Sequence, residues 1–171
     1  MNILHVSQSM APEWGGPPRA ITGIINSTST AQISNTIATV RRSQHSTEIE
    51  SDARLRTYSE VPIAAKLWPS FTASGTLGLR SLVREADVVH IHELWHQIGA
   101  MAAWYARRSG TPLVISPHGA LTKRAFEDGA LKKRLYWAAI QGPIIRNAQA
   151  IHVFSADEKE RFQEFDIPID I

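Results

Sequence analysis

The sequence predicts an α/β fold with a doubly wound, mostly parallel sheet of the Rossmann-like type. Short apolar runs rich in β-branched residues alternate along the chain with longer segments of helical periodicity, which is the order typical of βαβ units. Polar and glycine residues follow several of these runs, where packing of a core does not require them. Because ligands of doubly wound sheets bind beyond the carboxyl ends of the strands, these residues form the candidate site.

Length and composition are those of one globular domain. The chain has 171 residues, of which 43% are hydrophobic and 20% are charged, so it can bury a sizeable core and is not disordered. It contains no cysteine, which excludes disulfides and thiolate metal sites. The net charge of +2 is too small to indicate a nucleic-acid partner. No apolar run is long enough to cross a bilayer and no signal peptide is apparent, so we expect a cytoplasmic protein.

Five apolar runs are predicted as buried strands, at residues 3–6, 36–40, 88–91, 113–115 and 151–154. Helices are predicted at residues 18–27, 76–86, 97–109, 131–147 and 156–165. The intervening segment 43–75 is polar and less regular, and one further strand is predicted there around residues 54–58.

Local signals set several helix boundaries. The third helix should stop at Gly110, because glycine accepts the left-handed conformation that ends many helices. The last helix should begin with a capping box of Ser155 and Glu158. Gly142 and Pro143 are expected to kink or break the fourth helix.

The first strand leads into the loop Gly15-Gly-Pro-Pro-Arg19, which should open the first helix. Gly15 and Gly16 lack Cβ, so their backbone can take positive φ and approach a ligand closely. The prolines suit a first helical turn, and the free N–H groups of such a turn attract anions. Arg19 adds a fixed positive charge. The loop therefore predicts a ligand site, and a tight turn that binds nothing is the alternative.

His92 and His96 match the H-E-x-x-H pattern of zinc proteases, with Glu93 between them. That chemistry needs both histidines on one face of a single helix. Residues 88–91 have the character of a strand. We therefore expect His92 to end a strand, His96 to be an exposed or capping residue at a helix start, and no zinc to bind there.

His118 lies in a turn, Ser116-Pro-His-Gly119, that directly follows another strand. Proline and glycine shape this turn so that the histidine points outward, where an imidazole can donate or accept a hydrogen bond near neutral pH. His92 should lie at the adjacent strand end. Three other histidines fall inside predicted strands and are expected to be core residues hydrogen-bonded to their neighbours: His5, His90 and His152.

Four segments, in this order, resemble the N-terminal domain of family 4 glycosyltransferases of the GT-B fold. They are the glycine-proline loop, Val89-His-Ile-His-Glu-Leu-Trp95, Ile115-Ser-Pro-His-Gly-Ala-Leu121, and Ala148-Gln-Ala-Ile-His-Val-Phe-Ser155 followed by an acidic helix. The resemblance covers nearly the whole chain. The family pattern usually has Gly at position 93, and Glu93 departs from it, which leaves the shape of that turn open.

The resemblance implies roles for particular residues. The substrate-binding set would be Gly15, Gly16, Arg19, His92, Glu93 and Gly119. The two loop glycines would face an interdomain cleft near the donor diphosphate or the acceptor, and Arg19 and His92 would line the acceptor side. His118 would approach the transferred sugar as the catalytic residue. Such enzymes retain anomeric configuration, use a nucleotide-sugar as co-substrate with no further cofactor, and bind no metal through an Asp-x-Asp motif.

The resemblance also implies a larger enzyme. GT-B enzymes hold the nucleotide-sugar in a second, C-terminal Rossmann-like domain. Residues 1–171 are expected to form a single domain, the acceptor-side half, with the donor-binding domain absent from this chain. The chain alone should therefore be inactive.

A basic cluster bears on the acceptor, which would be a saccharide or a lipid-linked saccharide in polysaccharide or lipopolysaccharide assembly. It comprises Lys123, Arg124, Lys132, Lys133 and Arg134, interleaved with apolar and aromatic residues. Such a segment can lie at an anionic membrane, here the inner face. A solvated helix face is the alternative.

Rival functions come from other classes. A nicotinamide oxidoreductase is disfavoured, because the first loop lacks G-x-G-x-x-G and Arg41 and Arg42 stand where an acidic residue would close the second strand. A non-catalytic Rossmann-like binding domain stays open, since fold alone does not fix function. A zinc hydrolase using the H-E-x-x-H pattern is the third alternative.

Overall fold

A computed structural model describes residues 1–41, 53–60, 72–73, 75–121 and 130–164. Its sheet has six strands: β1 Asn2–Ser7, β2 Ser34–Arg41, β3 Arg54–Ser59, β4 Val88–His92, β5 Leu113–Ser116 and β6 Ala150–Ile151. The strand order is β3-β2-β1-β4-β5-β6, and every described pair is parallel. The predicted doubly wound α/β fold is confirmed, and so are five of the predicted strands.

The sixth strand is shorter than predicted. Residues 151–154 were expected to be extended in the sheet, but β6 covers only Ala150–Ile151. The neighbouring strand β5 ends at Ser116, and its last backbone bond to this segment runs from His152 N–H to Ile115 O at 2.9 Å. Because β5 ends there, residues 153–155 leave the sheet and lead to the last helix.

The helices are α1 Gly16–Thr28, α2 Gly75–Glu85, α3 Gln97–Ser109, α4 Ala130–Tyr136, α5 Gly142–Arg146 and α6 Ala156–Glu164. Gly110 ends α3 as predicted, with φ +72° and its N–H bonded to Ala106 O. α1 begins two residues earlier than expected, because its prolines occupy the first turn, where their missing N–H groups cost nothing. None of the helices in the described part of the chain has the length and apolarity that crossing a bilayer would need.

The Gly142-Pro143 step interrupts the α-helical pattern without ending the helix. A π-helical turn, Trp137–Gln141, joins α4 to α5, and Gly142 N–H bonds to Trp137 O. Such a turn accommodates the proline, which cannot donate a backbone hydrogen bond. A Cβ on Gly142 would lie 2.9 Å from Trp137 O, so the turn requires glycine there.

The two faces of the sheet bury different residues. Leu4 and Val6 of β1 lie in the main core, which also holds side chains of α2 and α3. On the other face, Ile37 of β2 packs against Ile21 and Ile25 of α1. His5 pairs in register with Ile37 and with His90, so the histidines lie on this second face and form a buried polar stripe.

Candidate functional site

The topology defines one crevice at the carboxyl edge of the sheet. From β1 the chain leaves toward β2 and β3, whereas from β4 it leaves toward β5 and β6. The two connections therefore diverge between adjacent strands, which is the switch point where doubly wound sheets bind ligands. Ser7 ends β1, His92 ends β4 and Ser116 ends β5 at this edge.

The loops at this edge concentrate backbone strain. Among the described residues, three that are not glycine have positive φ: Glu93 at 61°, Trp95 at 67° and His118 at 51°. Each left-handed residue costs about 1–2 kcal/mol. The Trp95 backbone N–H donates to Gln141 Oε1 at 3.3 Å and its indole N–H donates to Ala120 O at 3.0 Å. The second bond joins the turn after β4 to the turn after β5. Strain of this kind clusters at functional sites.

Glu93 adopts the backbone conformation that glycine would supply at this position of the family pattern. Its side chain stabilises the turn, because the carboxyl reaches the end of β1. Ser7 Oγ lies 3.2 and 3.0 Å from its two oxygens, and Gln8 N–H donates to Oε2 at 3.3 Å. Glu93 is only 4% exposed. The expectation that it binds substrate directly does not fit, since its carboxyl is turned inward to hold the β1 loop.

Burial raises the pKa of Glu93 to about 8, against the opposing hydrogen bonds from Ser7 and Gln8. The hydrogen bonds agree with a neutral carboxyl. Ser7 Oγ also lies 3.0 Å from Ser9 O, and a hydroxyl has only one proton to give. If the carboxyl donates to Ser7 Oγ, the hydroxyl is free to donate to Ser9 O, and all three groups are satisfied.

Four buried or half-buried side chains form a continuous hydrogen-bonded chain under the crevice. Asn35 Oδ1 lies 3.1 Å from His5 Nε2, and His5 Nδ1 lies 3.0 Å from His92 Nε2. His92 Nδ1 then lies 3.1 Å from His118 Nε2. His92 is fully buried. It was expected to line the acceptor side, but the structure places its ring beneath His118. Side chains alternate between the two faces along β4, so His90 and His92 both lie on the face that His5 occupies.

These histidines are neutral near pH 7. Burial is the main cause that lowers the pKa of His5, takes that of His90 to about 3 and holds that of His92 well below its usual value. Neighbouring histidines add to the effect on His90 and His92. Burial, with His152 nearby, lowers the pKa of His118 to about 4. An uncharged imidazole at position 118 has one donor and one acceptor nitrogen, so it can form a hydrogen bond with a hydroxyl group.

The strand histidines are the described group that could hold a metal. The ligand atoms of His5, His90 and His92 lie within 4.8 Å of one another. Both nitrogens of His5 and of His92 are already used in the chain described above, however, and His90 Nε2 bonds to Ser116 Oγ at 2.8 Å. A metal would have to break these bonds and bring an uncompensated charge into a buried face.

The H-E-x-x-H pattern has the geometry expected of a strand-to-helix turn. His92 ends β4, and His96 is the N-cap of α3. His96 Nδ1 accepts from Gly99 N–H at 3.1 Å, and its Nε2 donates to His92 O at 2.9 Å. His96 is therefore the capping residue foreseen, although it is buried rather than exposed. The two histidines therefore do not lie on one face of a single helix, as the zinc-protease pattern requires.

His118 lies at the upper end of the histidine chain, in the turn after β5. Its ring stacks on Phe154 at 4.5 Å between centroids. Gly119, with φ +77°, donates its N–H to Glu158 Oε1 at 2.6 Å, and Phe154 N–H donates to Oε2 at 2.9 Å. The predicted cap forms in part, since Ser155 Oγ accepts from Glu158 N–H at 3.1 Å. The Glu158 carboxylate instead ties the His118 turn to the start of α6.

The glycine loop is open to ligands. Gly15 has φ +87°, as only glycine readily takes, and a Cβ there would meet nothing within 4 Å. Gly16 also has open space around it, and it begins α1 without a positive φ. Arg19 is exposed in the first turn of α1. The described contacts do not join Arg19 or Gly16 to His118.

Three residues that carry hydrogen bonds of the site were not among the predicted site residues: Asn35, Ser7 and Glu158. His5 was expected to be a core residue hydrogen-bonded to its neighbours, and those neighbours are Asn35 and His92. A usable signal was the alternation Val-His-Ile-His in residues 89–92, which puts both histidines on one face. Lys123 and Arg124 lie outside the described residues, as do most of residues 43–75.

A second cavity lies at the opposite edge. It has a volume of about 550 Å³ and is lined by Ala103, Trp104, Leu113 and Ile144 among others. Leu113 begins β5, so this cavity faces the amino ends of the strands. We assign the site to the carboxyl edge, where the strained turns, the polar side chains and the switch point coincide.

Comparisons with known proteins agree with this fold. The chain aligns over 98% of its length with Anabaena Alr3699/HepE in complex with UDP-glucose, at 15% identity and a TM-score of 0.65, covering 41% of that chain. It aligns over its full length with the apo form of the lipopolysaccharide outer core galactosyltransferase WaaB, at 16% identity and a TM-score of 0.61, covering 45% of that chain. It thus spans less than half the length of these solved structures.

At the sequence level, no curated protein matches significantly. The model of the glycosyl transferase 4-like domain matches residues 15–170, which is nearly the whole chain. The loop glycines, the strand ends after β4 and β5 and the start of α6 all fall inside this match. The chain belongs to the glycosyl transferase 4-like domain family and has the fold of the N-terminal half of a GT-B glycosyltransferase.

Proposed function

We propose that this chain is the acceptor-side half of a retaining glycosyltransferase that moves a sugar from a nucleotide-sugar to a saccharide or a lipid-linked saccharide. The donor-binding half would be a second Rossmann-like domain across the crevice. The observation that carries the proposal is the carboxyl edge itself, where the open loop of Gly15 follows β1 and the strained turns, with the neutral His118, follow β4 and β5 around the switch point. Membership of the glycosyl transferase 4-like family supports the same reaction.

In this proposal His118 is the residue that meets the transferred sugar. It is the member of the histidine chain that is not fully buried, whereas His92 and Glu93 lie beneath the surface. His92 and Glu93 therefore serve the site by holding His118 and the β1 loop rather than by touching substrate. Gly15 and Gly16 leave room for the donor diphosphate or the acceptor, and Arg19 supplies positive charge beside them. No resident metal or cofactor is proposed, and the nucleotide-sugar is a co-substrate.

The acceptor side includes a surface suited to a lipid-linked substrate. Leu131 and Leu135 are 74% and 65% exposed and lie four residues apart on α4, beside Lys132 and Arg134. Exposed leucines with adjacent cations favour the interface of an anionic membrane. A cytoplasmic enzyme held peripherally at the inner face, working in polysaccharide or lipopolysaccharide assembly, fits this surface. That WaaB is a lipopolysaccharide outer core galactosyltransferase supports this context.

Titration of nucleotide-sugars into residues 1–171 by calorimetry tests the acceptor-side assignment. UDP- and GDP-sugars should bind weakly or without measurable heat, because in this proposal the nucleotide is held by the other half of the enzyme. Micromolar binding would contradict the assignment and would favour an ordinary nucleotide-binding Rossmann domain. A protein that contains both halves and binds donor sugars but never transfers them would instead establish the non-catalytic alternative.

A further inference from the structure

The histidine chain under the crevice has a direction, and that direction begins at Asn35. This residue is 3% exposed at the start of β2, and its Nδ2 donates to Ser29 Oγ at 3.0 Å. Its Oδ1 lies 3.1 Å from His5 Nε2. An amide oxygen only accepts hydrogen bonds, so the proton on this contact belongs to His5.

The direction of hydrogen-bond donation at His5 then determines which nitrogen is protonated in His92 and, in turn, in His118. A neutral ring carries one N–H, so a His5 protonated at Nε2 must accept at Nδ1, and His92 Nε2 is the donor at 3.0 Å. His92 accepts in turn at Nδ1 from His118 Nε2 at 3.1 Å. His118 therefore carries its proton on Nε2, and its Nδ1 is the ring nitrogen left as a hydrogen-bond acceptor.

We propose that Asn35 and His5 are positioning residues that act through His92 to fix the tautomer of His118, so that His118 Nδ1 can accept a hydrogen bond from a sugar hydroxyl. Neither residue reaches the surface, since His5 is 1% exposed. This inference rests on the proposed function for the identity of the ligand group, but the tautomers themselves do not depend on it.

Other roles for the same side chains fit less well. A purely structural role would require only that the polar groups be satisfied, and either direction of the chain would meet that requirement. The burial that lowers the histidine pKa values keeps the rings neutral, so one terminal group can set the state of all three. His90 lies on the same face but bonds to Ser116 Oγ instead, outside the chain.

Nitrogen-15 spectra of the imidazole rings at pH 7.5 in residues 1–171 test the inference directly. His5, His92 and His118 should each show one protonated Nε2 and one unprotonated Nδ1, since the two nitrogen types differ widely in chemical shift. A His118 protonated at Nδ1 would overturn the proposal without any variant. The unmodified protein thus decides the direction even if a variant fails to fold.

Two variants at one position test the origin of the direction. Asn35→Gln keeps an uncharged amide with an accepting oxygen and should leave all three tautomers unchanged. Asn35→Leu removes it, so the His118 Nδ1 signal should move toward the protonated position as both directions become populated. The His90 ring is the internal control and should keep its tautomer in both variants. Unchanged His118 signals in a folded Asn35→Leu protein would refute the role of Asn35.

The same pair separates this inference from the proposed function. In protein that contains both halves, Asn35→Leu should lower kcat on the order of tenfold or more with little change in the KM of the donor, and Asn35→Gln should retain activity. If the tautomers behave as expected but the unmodified protein transfers no sugar, the proposed function fails and the positioning chain stands. If transfer occurs and Asn35→Leu keeps full kcat, the positioning role fails.

Discussion

Glu93→Gln should remove the loss of folding stability that ionisation of this carboxyl causes as pH rises. The pKa of this carboxyl is about 8 in the folded chain against an ordinary value of 4.5. The folded state therefore keeps a proton that the unfolded state has lost, so stability is full below pH 4.5 and is lost as pH rises toward 8. Each pH unit within this window costs about 1.4 kcal/mol, or about 3 kcal/mol between pH 5.5 and pH 7.5.

Gln is the matched replacement, because it has the size of Glu and keeps an oxygen that can accept from Gln8 N–H, but it does not ionise. The free energy of unfolding of both proteins would be measured by urea titration at half-unit steps from pH 5.5 to pH 8.5, using tryptophan fluorescence. Between pH 5.5 and pH 7.5, the free energy of unfolding of the variant should rise by about 3 kcal/mol relative to that of the unmodified chain. A constant difference would refute the neutral buried carboxyl, and a difference that falls with pH would show that the pKa is lowered instead.

Four further predictions follow from local geometry. Gly142→Ala should lower the free energy of unfolding by about 1–3 kcal/mol, since its Cβ would lie 2.9 Å from Trp137 O. Gly23→Ala, in the open interior of α1, should raise it by about 0.5–1 kcal/mol, and equal melting temperatures of these two variants would contradict the prediction. Glu158→Ala should cost about 1–2 kcal/mol and speed amide exchange at Gly119, whose N–H it binds; unchanged exchange would count against the tie. Gly15→Val should destabilise the fold because φ is +87°, while Gly16→Val should leave melting nearly unchanged yet block transfer in protein with both halves; active Gly16→Val protein would exclude this loop from the site. The free energy of unfolding should also fall on acidification below pH 6.5. The pKa values of four buried rings are lowered, so these rings stay unprotonated in the folded chain while the unfolded chain takes up protons: His5, His90, His92 and His96. Urea midpoints that stay constant from pH 7 to pH 5 would contradict this.

The sequence predicted most of the fold because its signals are local. Apolar runs mark β1, β2, β4 and β5, and Gly110 and the first-turn prolines mark helix ends close to where they occur. The length of β6 was not predictable in this way, since it depends on where β5 stops. The π-helical turn at Trp137–Gln141 likewise depends on how Pro143 is accommodated rather than on any pattern in the residues.

The site was predicted less completely, because its contacts join residues far apart in the chain. His118 and His92 were expected to be neighbours and are. The partners of these residues come from other strands: Asn35 from β2, His5 from β1, and Ser7 opposite Glu93. Such contacts depend on strand order and register, which a single sequence does not supply. Glu93 was assigned to substrate through the family resemblance, and the sequence left open the shape of the turn that points its carboxyl inward.

The central claim is that the carboxyl edge around His118 is the reacting face of a glycosyltransferase. The most direct measurement is sugar transfer by protein that contains both halves, comparing His118→Ala with Arg107→Ala, an exposed residue in the last turn of α3. His118→Ala should lower kcat by about 100-fold or more while the Kd of the donor changes by less than about threefold, as for a contact made chiefly in the transition state. Arg107→Ala should transfer at the unmodified rate. Equal activity of the two variants would contradict the claim.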